Sequence, residues 1–363
     1  MIDISDITLD NTDFVLPAVV PGRILNHDAD FTAYQAASVA DTEAGVRREI
    51  KERIATRMEL AGATQVMVHL TAKDSDKGGR YEIATIKEYQ GNRDTEKPEL
   101  LEYAKEFLSS NYDACVWSDR EADDGVTQYQ LRCIEELGNE FVVLDSLDKD
   151  LRMVQGLHLC PETLKIVDVQ GYGSCWYDAD KKKVLGWGTS FFWHQVLMGD
   201  SVDNIPGLPA FSKSMTLMLW PTKQYTEMKR RLREDTMPSG KVCTYAQILH
   251  AERKIEDIED ATNGRQCGGK SAYDYLKDVD NDKDALAKVE LAYKEYYGPN
   301  LFFVPGAYRK AEKSWGTVLL EQAYLLWMQR RHNFYVQTCD LRHRLYQKDV
   351  FDFIMESRYG EVQ

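Results

Sequence analysis

The feature that most constrains the fold of this chain is an alternation. Short, β-branched apolar runs are each followed by a helical pattern, and the runs lead into acidic residues. RILNH is followed by Asp28 and Asp30, and QVMVHLT (65–71) by Asp74 and Asp76. DACVW (113–117) leads to Glu121, Asp123 and Asp124, and EFVVLD (140–145) leads to Asp148 and Asp150. Between the runs, residues 43–61 repeat Val46, Ile50, Ile54 and Met58 at a spacing of four, Pro98 opens PELLEYAKEFL, and 121–137 reads as a helix. Strands alternating with helices predict an α/β fold: a mostly parallel central sheet with helices on both faces. A further helix, SFFWHQVLM (190–198), runs into GDSVDNIPG, where Asp200 and Asp203 sit three apart before a Pro-Gly turn.

The organisation follows from where this pattern stops. Residues 1–22 read as an N-terminal extension, and 23–198 as the α/β domain. Beyond about 199 the β signal fades, and 222–262, 283–297 and 314–332 are helical, so 199–363 is expected to be α-rich. The stripe from Trp315 to Met328 reads as core, as do Tyr172, Trp176, Tyr177, Trp187, Phe191, Phe192 and Trp193, expected beneath the sheet. With 363 residues and 43% hydrophobic content the chain can bury one large core or two. No run approaches the apolar length of a membrane span, and the opening MIDISDITLDNTDF lacks the pattern of a secretory signal. Seven cysteines without a C-x-x-C pair point to reduced thiols and a cytoplasmic setting.

A net charge of −14 speaks against a polyanionic partner unless the acidity is concentrated in one place. In open α/β sheets ligands bind beyond the carboxyl ends of the strands, where these acidic clusters fall. One cluster is explained by helix capping. Five at one edge repel one another and raise each other's pKa values, and such a pocket makes sense when it holds cations. Carboxylates without Cys or His partners suit Mg²⁺ or Mn²⁺, and two such ions form a clamp for phosphodiester displacement. No G-x-x-x-x-G-K-[ST] phosphate loop occurs, which argues against triphosphate hydrolysis.

The set H-D-A-D (27–30), Y-Q-G-N-R-D (89–94), E-A-D-D (121–124), S-L-D-K-D (146–150) and G-D-S-V-D-N-I-P-G (199–207) resembles the 5′-nuclease, or flap endonuclease, family. The likeness is greatest to bacteriophage 5′→3′ exonucleases and the 5′-nuclease domain of bacterial DNA polymerase I, and it covers residues 24 to 276. It implies a PIN-like 5′-nuclease fold with a helix–hairpin–helix in the C-terminal region. It also implies a metal-dependent enzyme acting on DNA with 5′ ends, nicks or flaps, as exonuclease, flap endonuclease or both, with RNase H-type activity on RNA–DNA hybrids. Two Mg²⁺ or Mn²⁺ ions are implied, K⁺ at the helix–hairpin–helix, and a monomeric protein in the cytoplasm. The implied metal-site residues are Asp28, Asp76, Glu121, Asp123, Asp124, Asp148, Asp150, Asp200 and Asp203, with Asp74 the alternative to Asp76 and with Asp30 and Asp145 in support. A PIN-type endoribonuclease and a catalytically silent DNA-binding protein are the competing readings.

By the same resemblance, residues 77–97 form an arch for a single strand, with Arg80, Lys87, Tyr89 and Arg93 on phosphates and a base. Gln90 stands where the family carries lysine. Gly207 opens the hairpin, yet Ala210-Phe211-Ser212-Lys213 supplies no second glycine. Cys267-Gly268-Gly269-Lys270-Ser271 does, about sixty residues later. Residues 211–264 therefore read as an insertion into the hairpin, with Gly207, Gly269 and Lys270 facing duplex DNA; the alternative keeps Lys213-Ser214-Met215 as the second half of the hairpin and makes 265–276 an ordinary helix start.

Overall fold

The structure, a computed structural model, describes residues 15–93, 96–208, 267–297, 299, 301–304, 307–330 and 348–359. The expected insertion at 211–264, with its charged helices and Lys213, lies outside the described residues. The chain forms two compact units, one built from residues 1–79, 95–171 and 328–332, the other from 80–94, 172–327 and 333–363.

The first unit is the α/β layer. In chain order it contains β1 (Ile24–Asp28), α1 (Ala29–Val39), α2 (Glu43–Ala61), β2 (Gln65–Thr71), α3 (Leu101–Asn111), β3 (Asp113–Trp117), α4 (Ala122–Leu137), β4 (Val142–Asp145), β5 (Gly156–Leu159) and β6 (Ile166–Val169). The strands form one six-stranded sheet in the order β3-β2-β1-β4-β5-β6. All neighbours are parallel except β5 and β6. The two-residue period of a strand decides what covers each face. Leu25 and Val143 pack with Leu60 and Ala61 of α2, whereas their chain neighbours Ile24 and Val142 pack with Cys133 of α4. Val68 and Leu70 of β2 join Ala33, Ile50, Ile54 and Leu108 from α1, α2 and α3. Helices therefore cover both faces, as the alternation in the sequence requires. The local signals agree: the Thr42 hydroxyl accepts from the Gly45 amide at the start of α2, and Gly62 ends that helix at φ 58°. Helix α1 was not legible as a helix, because Asp28 both ends β1 and caps α1, leaving no connecting residues between them.

One buried ion pair ties the centre of this unit together. Asp145, the last residue of β4, is fully buried, and Arg57 Nε of α2 donates to both of its oxygens at 2.9 Å. His27 Nδ1 lies 2.8 Å from the same carboxylate, and its Nε2 lies 2.9 Å from Thr32 Oγ1. Burial alone would push the Asp145 carboxyl up, but Arg57 and His27 hold it below the usual carboxylate range.

The second unit is mostly helical. It comprises a helical turn at Arg80–Ile83, the hairpin β7 (Ser174–Asp178) and β8 (Lys183–Trp187), α5 (Thr189–Met198), α6 (Gly269–Leu276), α7 (Asp282–Tyr297), a two-residue pair β9 (Phe302–Phe303) and β10 (Glu312–Lys313), α8 (Trp315–Leu326) and α9 (Lys348–Tyr359). Its core is aromatic. Phe192 and Trp193 of α5 meet Phe353 of α9, and Phe192 and Phe353 also meet Trp327. Trp193 Nε1 donates to Asp282 Oδ1 at 2.8 Å, and Tyr293 to the Val196 carbonyl at 2.6 Å. Phe191, Phe192 and Trp193 are thus buried, as expected, and they pack among the helices of this unit; Trp176 is 44% exposed.

Replacing Asp145 with Asn leaves Arg57 facing a neutral partner. The variant is expected to lose about 3–5 kcal/mol in urea unfolding. The native pKa of Asp145 is lowered, so its contribution is present above about pH 4 and drains away as the pH falls further. The difference between wild type and Asp145→Asn should therefore shrink in acid.

Candidate metal centre

The carboxyl ends of the parallel strands in the first unit carry the expected acidic residues, and short polar links hold several of them in place. Asp28, at the end of β1, is 5% exposed; its Oδ1 accepts from the Asp30 amide at 3.2 Å and its Oδ2 from Ser146 Oγ at 2.8 Å. The same hydroxyl accepts from the Asp148 amide at 2.9 Å, and Asp148 Oδ1 accepts from the Asp150 amide at 2.8 Å. One serine thus ties the end of β1 to the loop after β4. Lys149 Nζ lies 2.7 Å from Asp150 Oδ1.

Glu121, Asp123 and Asp124 open α4 on the same edge. Asp124 is fully buried and accepts from the Gln329 amide at 2.9 Å, while Glu121 lies 3.1 Å from Lys77 Nζ. The start of α4 is fixed by the Ala122 amide donating to Thr71 Oγ1 at 2.8 Å. Gly125 is needed there, because a Cβ at that position would lie 2.1 Å from Trp117 Nε1. That indole is itself anchored, donating to Nδ1 of the buried His69 at 3.1 Å, and burial lowers the pKa of His69 to about 3. Asp30 is held by Lys105 at 2.7 Å and accepts from the Thr71 amide at 3.1 Å. Asp76 and Asp74 are exposed, and the Oδ1 of Asp76 accepts from the Gly78 amide at 2.9 Å.

The electrostatics are those of crowded carboxylates. Burial, followed by the charges of Asp28, Asp148, Glu121 and Asp124, pushes the Asp123 carboxyl well above its ordinary value. Burial and Asp30 push Asp28 up to about 6, against the opposing hydrogen bond from Ser146. Ser146, Thr71, Gln329, Lys77 and Lys149 were not singled out in the sequence. Ser146 sits inside the S-L-D-K-D motif and was within reach of sequence reasoning, whereas Gln329 reaches Asp124 from more than two hundred residues away.

In the second unit Asp200 and Asp203 lie on a closed loop. Asp200 and Ile205 exchange backbone hydrogen bonds at 2.7 and 2.8 Å, the Val202 amide donates to Asp200 Oδ1 at 2.8 Å, and carboxylate oxygens of Asp200 and Asp203 lie within 4.8 Å of each other. Residues 80–93 pack alongside this loop and α8. Glu321 accepts from the Thr85 and Ile86 amides at 2.8 and 3.0 Å, and Lys313 lies 2.7 Å from it.

These contacts correct three expectations for DNA binding. Arg80 is 1% exposed and donates to the Trp327 carbonyl at 3.0 Å, so it presents no surface cation. Tyr89 is 4% exposed and packs edge-on against Tyr81, which leaves no open face for a base. Gly207 is buried, and its amide donates to Gln322 Oε1 at 2.9 Å; a Cβ there would lie 2.3 Å from the Gly199 nitrogen, so the glycine serves close backbone packing. Lys87 and Lys270 are exposed, Lys270 beside Asp274 at 2.6 Å, and Arg93 pairs with Asp203. Gly269 and Lys270 open α6, and the Cys267 amide donates to the Leu208 carbonyl at 3.1 Å, which joins the chain on the two sides of residues 209–266.

No family model matches the chain, and no curated protein matches it. Among solved structures it is similar to T5 5′-exonuclease with divalent zinc ions bound, at 16% identity over 76% of this chain and 96% of that one, with a TM-score of 0.41. It is also similar to bacteriophage T5 flap endonuclease in a pseudo-enzyme–product complex with DNA and metal ions, at 16% identity over 76% and 96% of the two chains, with a TM-score of 0.39.

The raised carboxyls carry a signature in pH. A carboxyl whose native pKa is raised costs stability above that value, and the cost is relieved as the pH falls through it. In the presence of chelator, thermal stability is expected to rise from pH 7.5 to pH 5, and Asp123→Asn should flatten that rise. A melting temperature for wild type that falls steadily over this range would contradict the crowding.

Proposed function

We propose that the chain is a divalent-metal-dependent 5′-nuclease that hydrolyses DNA phosphodiesters at 5′ ends, nicks or flaps. The observation that carries this reading is the gathering of Asp28, Glu121, Asp123, Asp124 and Asp148 at the carboxyl edge of the parallel sheet, with one serine hydroxyl joining two of them. The motifs in which these residues occur supply the specificity of the reading.

The residues present fit hard divalent ions. The donors are all carboxylate oxygens, and Asp28 is buried and held in place by Ser146 before any ion arrives. Asp28, Glu121, Asp123, Asp124, Asp148 and Asp150 would hold metal in the first unit, while Asp200 and Asp203 offer a second, closely spaced pair in the other. Bound Mg²⁺ or Mn²⁺ supplies Lewis acidity toward the phosphodiester. The protein's own groups fix the donors. Ser146 Oγ donates to the Asp28 carboxylate and accepts from the Asp148 backbone amide, which ties the Asp28 carboxylate to the loop bearing Asp148, and the Gln329 amide orients Asp124. Lys77 and Lys149 offset part of the acidic charge at Glu121 and Asp150.

Affinity for DNA must come from cations outside this acidic edge. Lys87 and Lys270 are exposed, Lys270 pairing with Asp274 at 2.6 Å one turn along the helix, and Gly269 and Lys270 sit at the positive end of α6. The hydrogen bond from Cys267 to Leu208 supports the reading of 211–264 as an insertion between two halves of one hairpin. A loop of that length is tolerable because closure entropy grows slowly with length.

The test is cleavage of a 5′-labelled flap with Mg²⁺ and with EDTA; product with Mg²⁺ alone supports the reading, and none under either condition refutes it. Asp148→Asn is expected to reduce cleavage at least a hundredfold while DNA affinity changes less than threefold, as read by fluorescence anisotropy. Lys270→Ala should instead weaken duplex binding and lower the slope of log K against log salt by about 0.9, the amount for one phosphate contact. An unchanged slope would remove Lys270 from the DNA-binding surface.

A further inference from the structure

The segment that carries glutamine in place of the family's lysine is not open in this structure. It is fastened to the Asp200–Asp203 loop within the second unit. Gln90 donates twice to Asp203, from its amide to the carbonyl at 2.9 Å and from Nε2 to Oδ1 at 3.0 Å. Arg93 Nη2 donates to the same Oδ1. Asn92 Nδ2 donates to the Ser201 carbonyl at 2.8 Å, and Asn204 Nδ2 donates back to the Glu88 carbonyl at 2.8 Å. Residues 88–93 and 201–204 are thus joined by hydrogen bonds running in both directions, and the side chains of Gln90 and Arg93 converge on one oxygen of one carboxylate.

The geometry points to Gln90 and Arg93 as positioning residues that set the orientation of the Asp203 carboxylate for a divalent ion. This inference rests on the reading of Asp203 as a metal ligand given above. Ligating carboxylates are ordinarily held by hydrogen bonds from outside the coordination sphere, and loss of such a partner costs metal affinity about 10–100-fold. Here the partners come from residues 88–93, so the order of that segment and the orientation of Asp203 depend on each other. Gln90 sits at φ 55°, and its amide and its side chain both donate to Asp203. A lysine at position 90 would place a second full charge at an oxygen already paired with Arg93.

The alternative role for Arg93 is a simple counter-ion, and the two roles differ in sign. A cation beside a metal site repels the ion, so on electrostatics alone Arg93→Ala should tighten metal binding. A positioning residue gives the opposite result. The experiment is isothermal titration of the full-length protein with Mn²⁺, without DNA, following the site that Asp203→Asn removes. Arg93→Ala is expected to weaken that site about tenfold, Gln90→Ala to weaken it by a smaller factor, and Arg93→Lys to recover most of the loss. Amide exchange of peptides covering 88–93 should be faster in Arg93→Ala than in wild type. Affinity for Mn²⁺ that is unchanged or tighter in Arg93→Ala overturns the positioning role while leaving the metal site standing. If wild type binds no Mn²⁺ at an Asp203-dependent site, both the inference and the assignment of Asp203 fail.

Discussion

Mutual repulsion among carboxylates is the constraint around which the first unit is built. A parallel sheet brings the carboxyl ends of β1, β2, β3 and β4 to one edge, and the sequence places aspartate or glutamate after each of them. Asp28 and Asp123 both have raised carboxyl pKa values, with burial the largest cause and neighbouring acids the next. That arrangement opposes folding unless something else holds the edge together. Lys77, Lys105 and Lys149 each meet one of the acids, and Ser146 and the Ala122 and Gln329 amides fix the loops.

Asp145 shows how the same residue type serves the opposite purpose one position away from the edge. It lies deeper, at the end of β4, and is neutralised by Arg57 and His27. The sequence contains Asp145 and Asp148 three residues apart, and nothing in the spacing separates them. What separates them is their surroundings: Arg57 reaches the buried Asp145 from α2, while the exposed Asp148 accepts on Oδ1 from the Asp150 amide of its own loop. Burial with an arginine makes a structural ion pair, and crowding with other acids makes a candidate ligand.

The fold was legible because hydrophobic periodicity survives in most of the sheet strands and in α2. Val46, Ile50 and Ile54 line the buried side of α2, and DACVW is the observed β3 residue for residue. Sequence reading failed where a residue's surroundings come from far along the chain. Arg80 looked like a free cation in a charged loop, but its guanidinium meets the carbonyl of Trp327. Tyr89 looked like a stacking platform, but it is buried and packs edge-on against Tyr81. The Gly207 amide looked open, but Gln322 occupies it from α8. In each case a local motif named the residue type correctly, and a distant element determined what the residue does.

The central claim is that the acidic edge of the first unit holds divalent ions in order to cut a phosphodiester. Anomalous diffraction from crystals grown with Mn²⁺ tests it most directly. The account predicts a Mn²⁺ peak in direct contact with carboxylate oxygens from the set Asp28, Glu121, Asp123, Asp124 and Asp148, and its disappearance in Asp148→Asn. Crystals that bind Mn²⁺ only elsewhere, with Asp28 and Asp148 still joined through Ser146 and bearing no ion, would contradict it.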